Sequence, residues 1–234
     1  MLGHTGRLLS HHLSIVPLWG VLGITAGAII LYASPRLVSY RLSDRIAFPS
    51  AWVLIPIWGI RAEGWRPRSS LGIELSTGIV FAALAAHYGP NIQLLLSSAY
   101  SAVFISVAYI DIDHRLVLNR LSYPAALLAI PSAMLWPGFG VRSALLGAAV
   151  GGVVFLVLQA AGRGALGTGD TKLAIVIGAI RGFPAVFDAL LLGMLFGGVA
   201  ALILLVVFRR GRKQYIAYAP YLSAGAILSF FLTT

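Results

Sequence analysis

Residues 164–178 read "GALGTGDTKLAIVIG": a glycine-rich approach, one aspartate, a lysine two residues on, then an apolar run. Asp170 stands where the chain passes into that run, and ionisable groups are costly in or near a bilayer. The surrounding chain decides whether this run belongs to a soluble core or to a membrane bundle. Of the 234 residues, 59% are hydrophobic and 10% charged, and the mean hydropathy is +0.91. A soluble domain carries about 25% charge. Apolar runs recur from end to end, at 13–33, 70–87, 91–110, 120–136, 141–161, 171–182, 184–208 and 216–233. A hydrocarbon core about 30 Å thick takes roughly 20 helical residues, so most of these runs qualify as spans. The sixth is short and the fourth is bracketed by prolines. The expected fold class is therefore all-α, a polytopic membrane helical bundle of about eight transmembrane helices. The first run has a polar start without a small-residue cleavage site, and it reads as a retained span. Gly89-Pro90, Pro137-Gly138 and Gly182-Phe183-Pro184 read as tight connections between spans.

Seventeen Lys and Arg against seven Asp and Glu give a net charge of +10. In a soluble protein that balance points to nucleic acid, but no nucleic-acid motif accompanies it, and membrane proteins collect basic residues in cytoplasmic loops. Nucleic acid is therefore not an expected partner; the lipid bilayer is. Eight spans place 14 basic residues on one face, in loop 34–69 and after the third, fifth and seventh spans. Only Arg7, Arg142 and Arg181 fall on the other face. This predicts a cytoplasmic basic face with both termini outside. The 34–69 loop is the one sizeable stretch outside the spans, and its "AFPSAWVLIPIWGI" is apolar enough to lie in the interface. "RRGRK" at 209–213 reads as a topology anchor with affinity for anionic lipid. The chain has no cysteine, which excludes disulfides and thiolate metal sites.

Seven carboxylates are few enough to weigh singly. Asp44 and Glu63 fall in the basic loop, solvated or paired with arginines. Asp188 follows Pro184 in the first turn of the seventh span, where the helix dipole favours negative charge. Glu74 stands at the cytoplasmic start of the second span, as a helix-end or a site residue. Asp111 closes the third span in "AYIDIDHRLVLNRLSYP", and Asp170 opens the sixth. Alternating topology brings both to one face although 59 residues separate them. Two carboxylates a few ångströms apart cannot both ionise cheaply, so one stays protonated as acid while the other activates water. The competing reading makes Asp170 an N-cap and 111–120 a polar loop with an ion pair. Gly167 and Gly169 favour a site, since bare backbone admits an extended peptide. Lys172 either snorkels to the interface or eases the charging of Asp170. Asp113-His114 has the residue types of a metal site, but the other histidines fall in segments placed outside, so no metal site is expected.

These motifs resemble the type IV prepilin peptidases, intramembrane aspartic proteases of the GxGD group. "GTGDTKLAIVIGA" is similar to the family's GxGDxKL signature, and "DIDHRLVLN" to its first motif, with Asp111 as first aspartate and Asn119 as closing residue. "YAPYLSAGA" at 218–226 is similar to the family's FGPFLALGA, and "WRPRSSLGIELSTG" at 65–78 to the segment before its second span, with Glu74 matching a family glutamate. The resemblance implies catalytic Asp111 and Asp170, with Gly167, Gly169, Lys172, Asp113, Asn119 and Glu74 supporting the site or binding substrate. It also implies an inner-membrane endopeptidase that trims basic leaders from prepilin or pseudopilin-like precursors at the cytoplasmic face. Many bacterial members carry two Cys-x-x-Cys pairs that bind zinc, linked to methylating the new N-terminus. Without cysteine that zinc site cannot form, and S-adenosylmethionine is implied only if methyl transfer is retained. The first motif also has Leu118 where the family usually has proline. Residues 1–69 are expected to pair a first span with a degenerate counterpart of the zinc region, and 70–234 to form the peptidase domain. A proton-coupled transporter using the same carboxylates, or a presenilin-like protease with other substrates, stays open.

Overall fold

The computed structural model describes residues 2–39, 70–162, 166–206 and 217–232, with side chains omitted for 2–13, 39, 70 and 205. The readings of most of the 34–69 loop, of Arg163 and of the 209–213 run lie outside these residues. Among the described residues the chain forms eight α-helices and one short 3-10 turn. These are α1 (Leu2–Ser39), α2 (Ser70–Tyr88), α3 (Ile92–His114), α4 (Asn119–Ser132), α5 (Val141–Ala161), α6 (Thr168–Arg181), α7 (Val186–Val206) and α8 (Ala219–Ser229). Five helices contain stretches long and apolar enough to cross a membrane: Ser14–Val38, Leu71–Tyr88, Ile92–His114, Val141–Ala161 and Val186–Leu204. The chain is thus a polytopic helical membrane protein. Helix α1 runs on through 34–39, which the sequence assigns to the loop, and α3 runs on to His114, so Asp111 and Asp113 are helical.

The three predicted connections share one device. Gly89, Gly138 and Gly182 each take positive φ, at 66°, 75° and 66°, where glycine goes freely and side chains rarely follow. The sequence signals therefore marked turns that only glycine makes cheaply.

The chain divides into two compact units, Met1–Ala102 and Val103–Thr234, with the division inside α3. In the first, α1 and α2 meet through small residues. A Cβ on Gly23 would lie 2.6 Å from the Thr77 carbonyl oxygen, and one on Gly27 would lie 2.8 Å from the Glu74 Cα. With no water to expel between helices in lipid, such close backbone approach supplies the attraction. Trp19 Nε1 donates to Ser98 Oγ at 2.9 Å, tying α1 to the start of α3.

In the second unit the same principle joins two more pairs. Gly147 and Gly178 lock α5 to α6, each filling the space the other's Cβ would need, and Gly225 lies against Gly193 between α8 and α7. Helix α6 packs against α4, α5, α7 and α8. Eight of its 14 residues are buried, as are seven of the 11 in α8. The eighth span, expected over 216–233, is represented by this short helix. A helix of 14 residues is about 21 Å long, less than the hydrocarbon thickness. Enclosed by neighbours, α6 is stabilised by packing instead of lipid. The outward faces of α5 and α7 carry exposed Leu145, Val153, Leu156, Leu191, Leu195 and Leu202, as lipid-facing helices do.

Arg181, counted above among the basic residues of the other face, is 1% exposed. Its Nη2 donates to the Ser229 carbonyl at 2.9 Å, and its guanidinium stacks 4.8 Å from the Phe230 ring centroid. A carbonyl at a helix end attracts a cation, so Arg181 joins the ends of α6 and α8.

Candidate active site

Helices α6 and α8 begin at one end of the second unit, and each brings a helix N-terminus to an aspartate. Gly167 is the N-cap of α6, and Asp170 is its N3 residue. Asp170 Oδ2 accepts from the Gly167 backbone N–H at 3.0 Å. The competing reading of Asp170 is therefore half right: it stabilises its own helix start, but from N3, reaching back as in a capping box. Asp111, 6% exposed near the end of α3, accepts through Oδ2 from the backbone N–H of Ala219, first residue of α8, at 3.3 Å. The two carboxylates lie within electrostatic reach of each other. Asp170 precedes the apolar run 171–182, and its carboxyl is pushed up to about 6. Burial is the largest cause; the Gly167 hydrogen bond opposes it and the Asp111 charge reinforces it. Two helix N-termini hold two carboxylates close, while burial discourages charging both.

The chain after Asp111 folds back over α6. Arg115 takes φ 52° directly after the last turn of α3, a left-handed conformation that ends helices. Residues 115–118 then cross to α4, and Val117 packs on Gly169, where a Cβ would lie 3.1 Å from Val117 Cβ and Cγ2. The room beside Gly169 is therefore taken by this connection. Gly167 is different: a Cβ there would meet nothing nearer than the Asp170 carboxylate at 3.6 Å, an ordinary contact, and the residue is exposed. Bare backbone that a peptide can approach lies at Gly167.

Lys172 and Asn119 meet: Lys172 Nζ donates to Asn119 Oδ1 at 3.0 Å and lies 5.7 Å from the Tyr123 ring centroid. This bond fastens the start of α4 to the first turn of α6. Asp113 is exposed and hydrogen-bonded to Tyr109 one turn back on α3. Glu74 belongs to the first unit, fully buried in α2. Thus Asp111, Asp170, Gly167, Gly169, Lys172 and Asn119 gather at the starts of α4, α6 and α8. Among the described residues no three His, Asp or Glu side chains are grouped to hold a metal. The Ala219 amide escaped residue-by-residue reading because a backbone donor leaves no side-chain signal; the signal present was the "YAP" start of a helix.

Residues 98–202 match the type IV leader peptidase family. The chain is 32% identical to the prepilin leader peptidase/N-methyltransferase of Bacillus subtilis (strain 168), over 67% of its own length and 63% of that protein. It is 30% identical to the protein of that name from Myxococcus xanthus (strain DK1622), over 59% of this chain and 43% of that one. For the Xanthomonas campestris pv. campestris protein of the same name the figures are 30%, 68% and 57%. The chain thus spans about half the length of the curated relatives it matches. No solved structure matches it. The matched segment holds both aspartates, the 115–118 connection and the α5–α6 glycine contact, and on it the chain belongs to the type IV leader peptidase family.

Proposed function

We propose that this chain is a membrane-embedded aspartic endopeptidase that removes basic leaders from prepilin or pseudopilin-like membrane precursors. Asp111 and Asp170 are its catalytic pair. The observation that carries this reading is the approach of the buried Asp111 and half-buried Asp170 carboxylates, each anchored through one oxygen to a helix N-terminus, within the family segment. The pair shares one proton. The ionised member takes a proton from water as the water oxygen bonds to the scissile carbonyl carbon. The protonated member then gives its proton to the amide nitrogen as the C–N bond breaks. Gly167 lets the extended substrate backbone approach Asp170. Lys172 and Asn119 hold α6 and α4 in register, Val117 on Gly169 fixes the turn between the motifs, and Asp113 supports the site from α3.

Residues 1–69 stand in place of the zinc region and 70–234 form the peptidase domain. With no cysteine in the chain, no step runs through zinc, and methyl transfer from S-adenosylmethionine is a separate activity. The chain resides in the inner membrane with about eight spans, both termini outside and the aspartates at the cytoplasmic side. Basic leaders reach this face held by anionic lipid.

The test is co-expression with a prepilin. Asp111→Asn and Asp170→Asn each abolish leader removal while the variant protein remains in the membrane; normal processing by either single variant would sink the pair. Mass spectrometry of the mature N-terminus reads cleavage and methylation together. Because the chain lacks cysteine, a thiol introduced by Arg142→Cys can be labelled from outside alone if the orientation is right.

A further inference from the structure

Asp113 stands two residues beyond Asp111, in the last turn of α3. Residues two apart point to different faces of a helix, and these two do: Asp111 is buried and Asp113 exposed. The phenol of Tyr109, buried one turn back, donates a hydrogen bond to Asp113. A buried ring thus orients the carboxylate of an exposed residue, which would otherwise be free to turn.

Cations lie near this turn, yet none is paired with Asp113. Arg115 lies within electrostatic reach of Asp111, and Lys172 is bonded to Asn119. Asp113 makes no ion pair among the described residues. The other carboxylates of the second unit are engaged or distant. Asp111 and Asp170 accept from the starts of α8 and α6, and Asp188 opens α7 beyond the far end of α6. Among the described residues of this unit, Asp113 is therefore the exposed carboxylate at the end that holds the site. A substrate with an apolar mature helix leaves that helix in the bilayer while its leader runs on toward water. Along α3 the same direction leads past Asp111 to Asp113. A helix is about 10 Å across, so crossing its end takes about three residues of extended chain at roughly 3.3–3.6 Å each.

We propose that Asp113 is a specificity-determining residue whose carboxylate binds the ammonium or guanidinium of a leader residue about three positions before the scissile bond. Anionic lipid gathers basic leaders at the surface without choosing a register. One oriented carboxylate at a fixed distance from Asp111 chooses a register, and so sets which peptide bond the catalytic pair meets. Tyr109 is the positioning residue behind it. The inference rests on the peptidase reading and adds substrate recognition to it.

The experiment compares the full-length wild type with Asp113→Asn in nanodiscs of zwitterionic lipid, so that lipid charge does not hold the leader. Two synthetic peptides share a glycine at the junction and an apolar helix; one has lysine at the proposed leader position and the other glutamine. Asparagine keeps an acceptor for Tyr109, so Asp113→Asn keeps wild-type resistance to detergent unfolding. On the lysine peptide its KM rises about fivefold, the equivalent of about 1 kcal/mol for an exposed ion pair, with kcat within about twofold. On the glutamine peptide the two proteins are equal, and added salt raises the wild-type KM on the lysine peptide toward that of the variant. An unchanged KM or a loss confined to kcat overturns the proposal. A loss that persists on the glutamine peptide overturns it too, because Asp113 then serves the fold. If Asp113→Asn unfolds, a second variant uses the absence of native cysteine. Asp113→Cys, combined with Asp170→Asn to prevent cutting, forms a disulfide under mild oxidation with a peptide carrying cysteine at the leader position, and not with one carrying it on the mature side. Equal trapping of both peptides, or of neither, refutes the contact. Failure of the wild type to cleave either peptide, or cleavage by Asp170→Asn, refutes the peptidase reading instead. Wild-type cleavage with an unchanged KM in Asp113→Asn refutes only this proposal.

Discussion

Gly178→Ala is the most direct challenge to the way α6 is held. Gly178 lies inside α6, where alanine in place of glycine ordinarily gains roughly 0.5–1 kcal/mol. Here the new methyl would sit 2.6 Å from the Gly147 carbonyl carbon, 3.0 Å from the Ala148 nitrogen and closer still to the Gly147 oxygen. All of these are backbone of α5 and cannot rotate away. Restoring ordinary contact requires α5 and α6 to part by about 1 Å or more, and a gap of that size forfeits about half of each dispersion contact across it. Overpacking of this kind costs about 1–3 kcal/mol, which exceeds the propensity gain. Gly198 of α7 is the control, because nothing lies within 4 Å of its Cβ position. Unfolding titrations in mixed micelles should show Gly178→Ala destabilised and Gly198→Ala unchanged or stabilised. Since α6 carries Asp170, a shift of about 1 Å should also cost about 10²-fold in cleavage. Equal stability for the two variants would refute the argument that backbone contact, and not glycine content, joins these helices.

Activity should also depend on pH in a defined sense. With the Asp170 carboxyl pushed up to about 6, the singly protonated pair is lost as pH rises through that value, so kcat/KM of the free enzyme falls on its alkaline side. A profile flat from pH 5 to about 8 contradicts a shared proton. Asn119→Ala strips the acceptor from Lys172 and should cost about 1.5–3 kcal/mol, read by the same titration, whereas Asn119→Asp keeps an acceptor and retains cleavage. Arg181→Lys should not restore the join between α6 and α8, because an ammonium cannot both reach Ser229 and stack on Phe230 as a planar guanidinium does; lowered unfolding resistance in Arg181→Lys is the measure.

The sequence by itself determined the solvent in which this protein folds, the breaks between its helices and the two aspartates that its motifs share. Hydropathy along the chain reports directly on lipid, glycine with proline reports on turns, and helix counting brings Asp111 and Asp170 to one face before any coordinates exist. Tertiary structure decided what surrounds them. Helix α6 is apolar enough to read as a span, and nothing in its composition distinguishes a helix facing lipid from one enclosed by four neighbours. An arginine at its end looks the same whether it meets solvent or, as Arg181 does, binds a buried carbonyl. Gly167 and Gly169 are indistinguishable in "GTGD", yet one is open and the other is occupied by Val117. The donor to Asp111 is a backbone amide 108 residues away, and a peptide N–H has no letter in the sequence. Lipid selects for apolar character whichever way a helix turns, so the sequence records that these helices leave water, and only their packing records what each one meets.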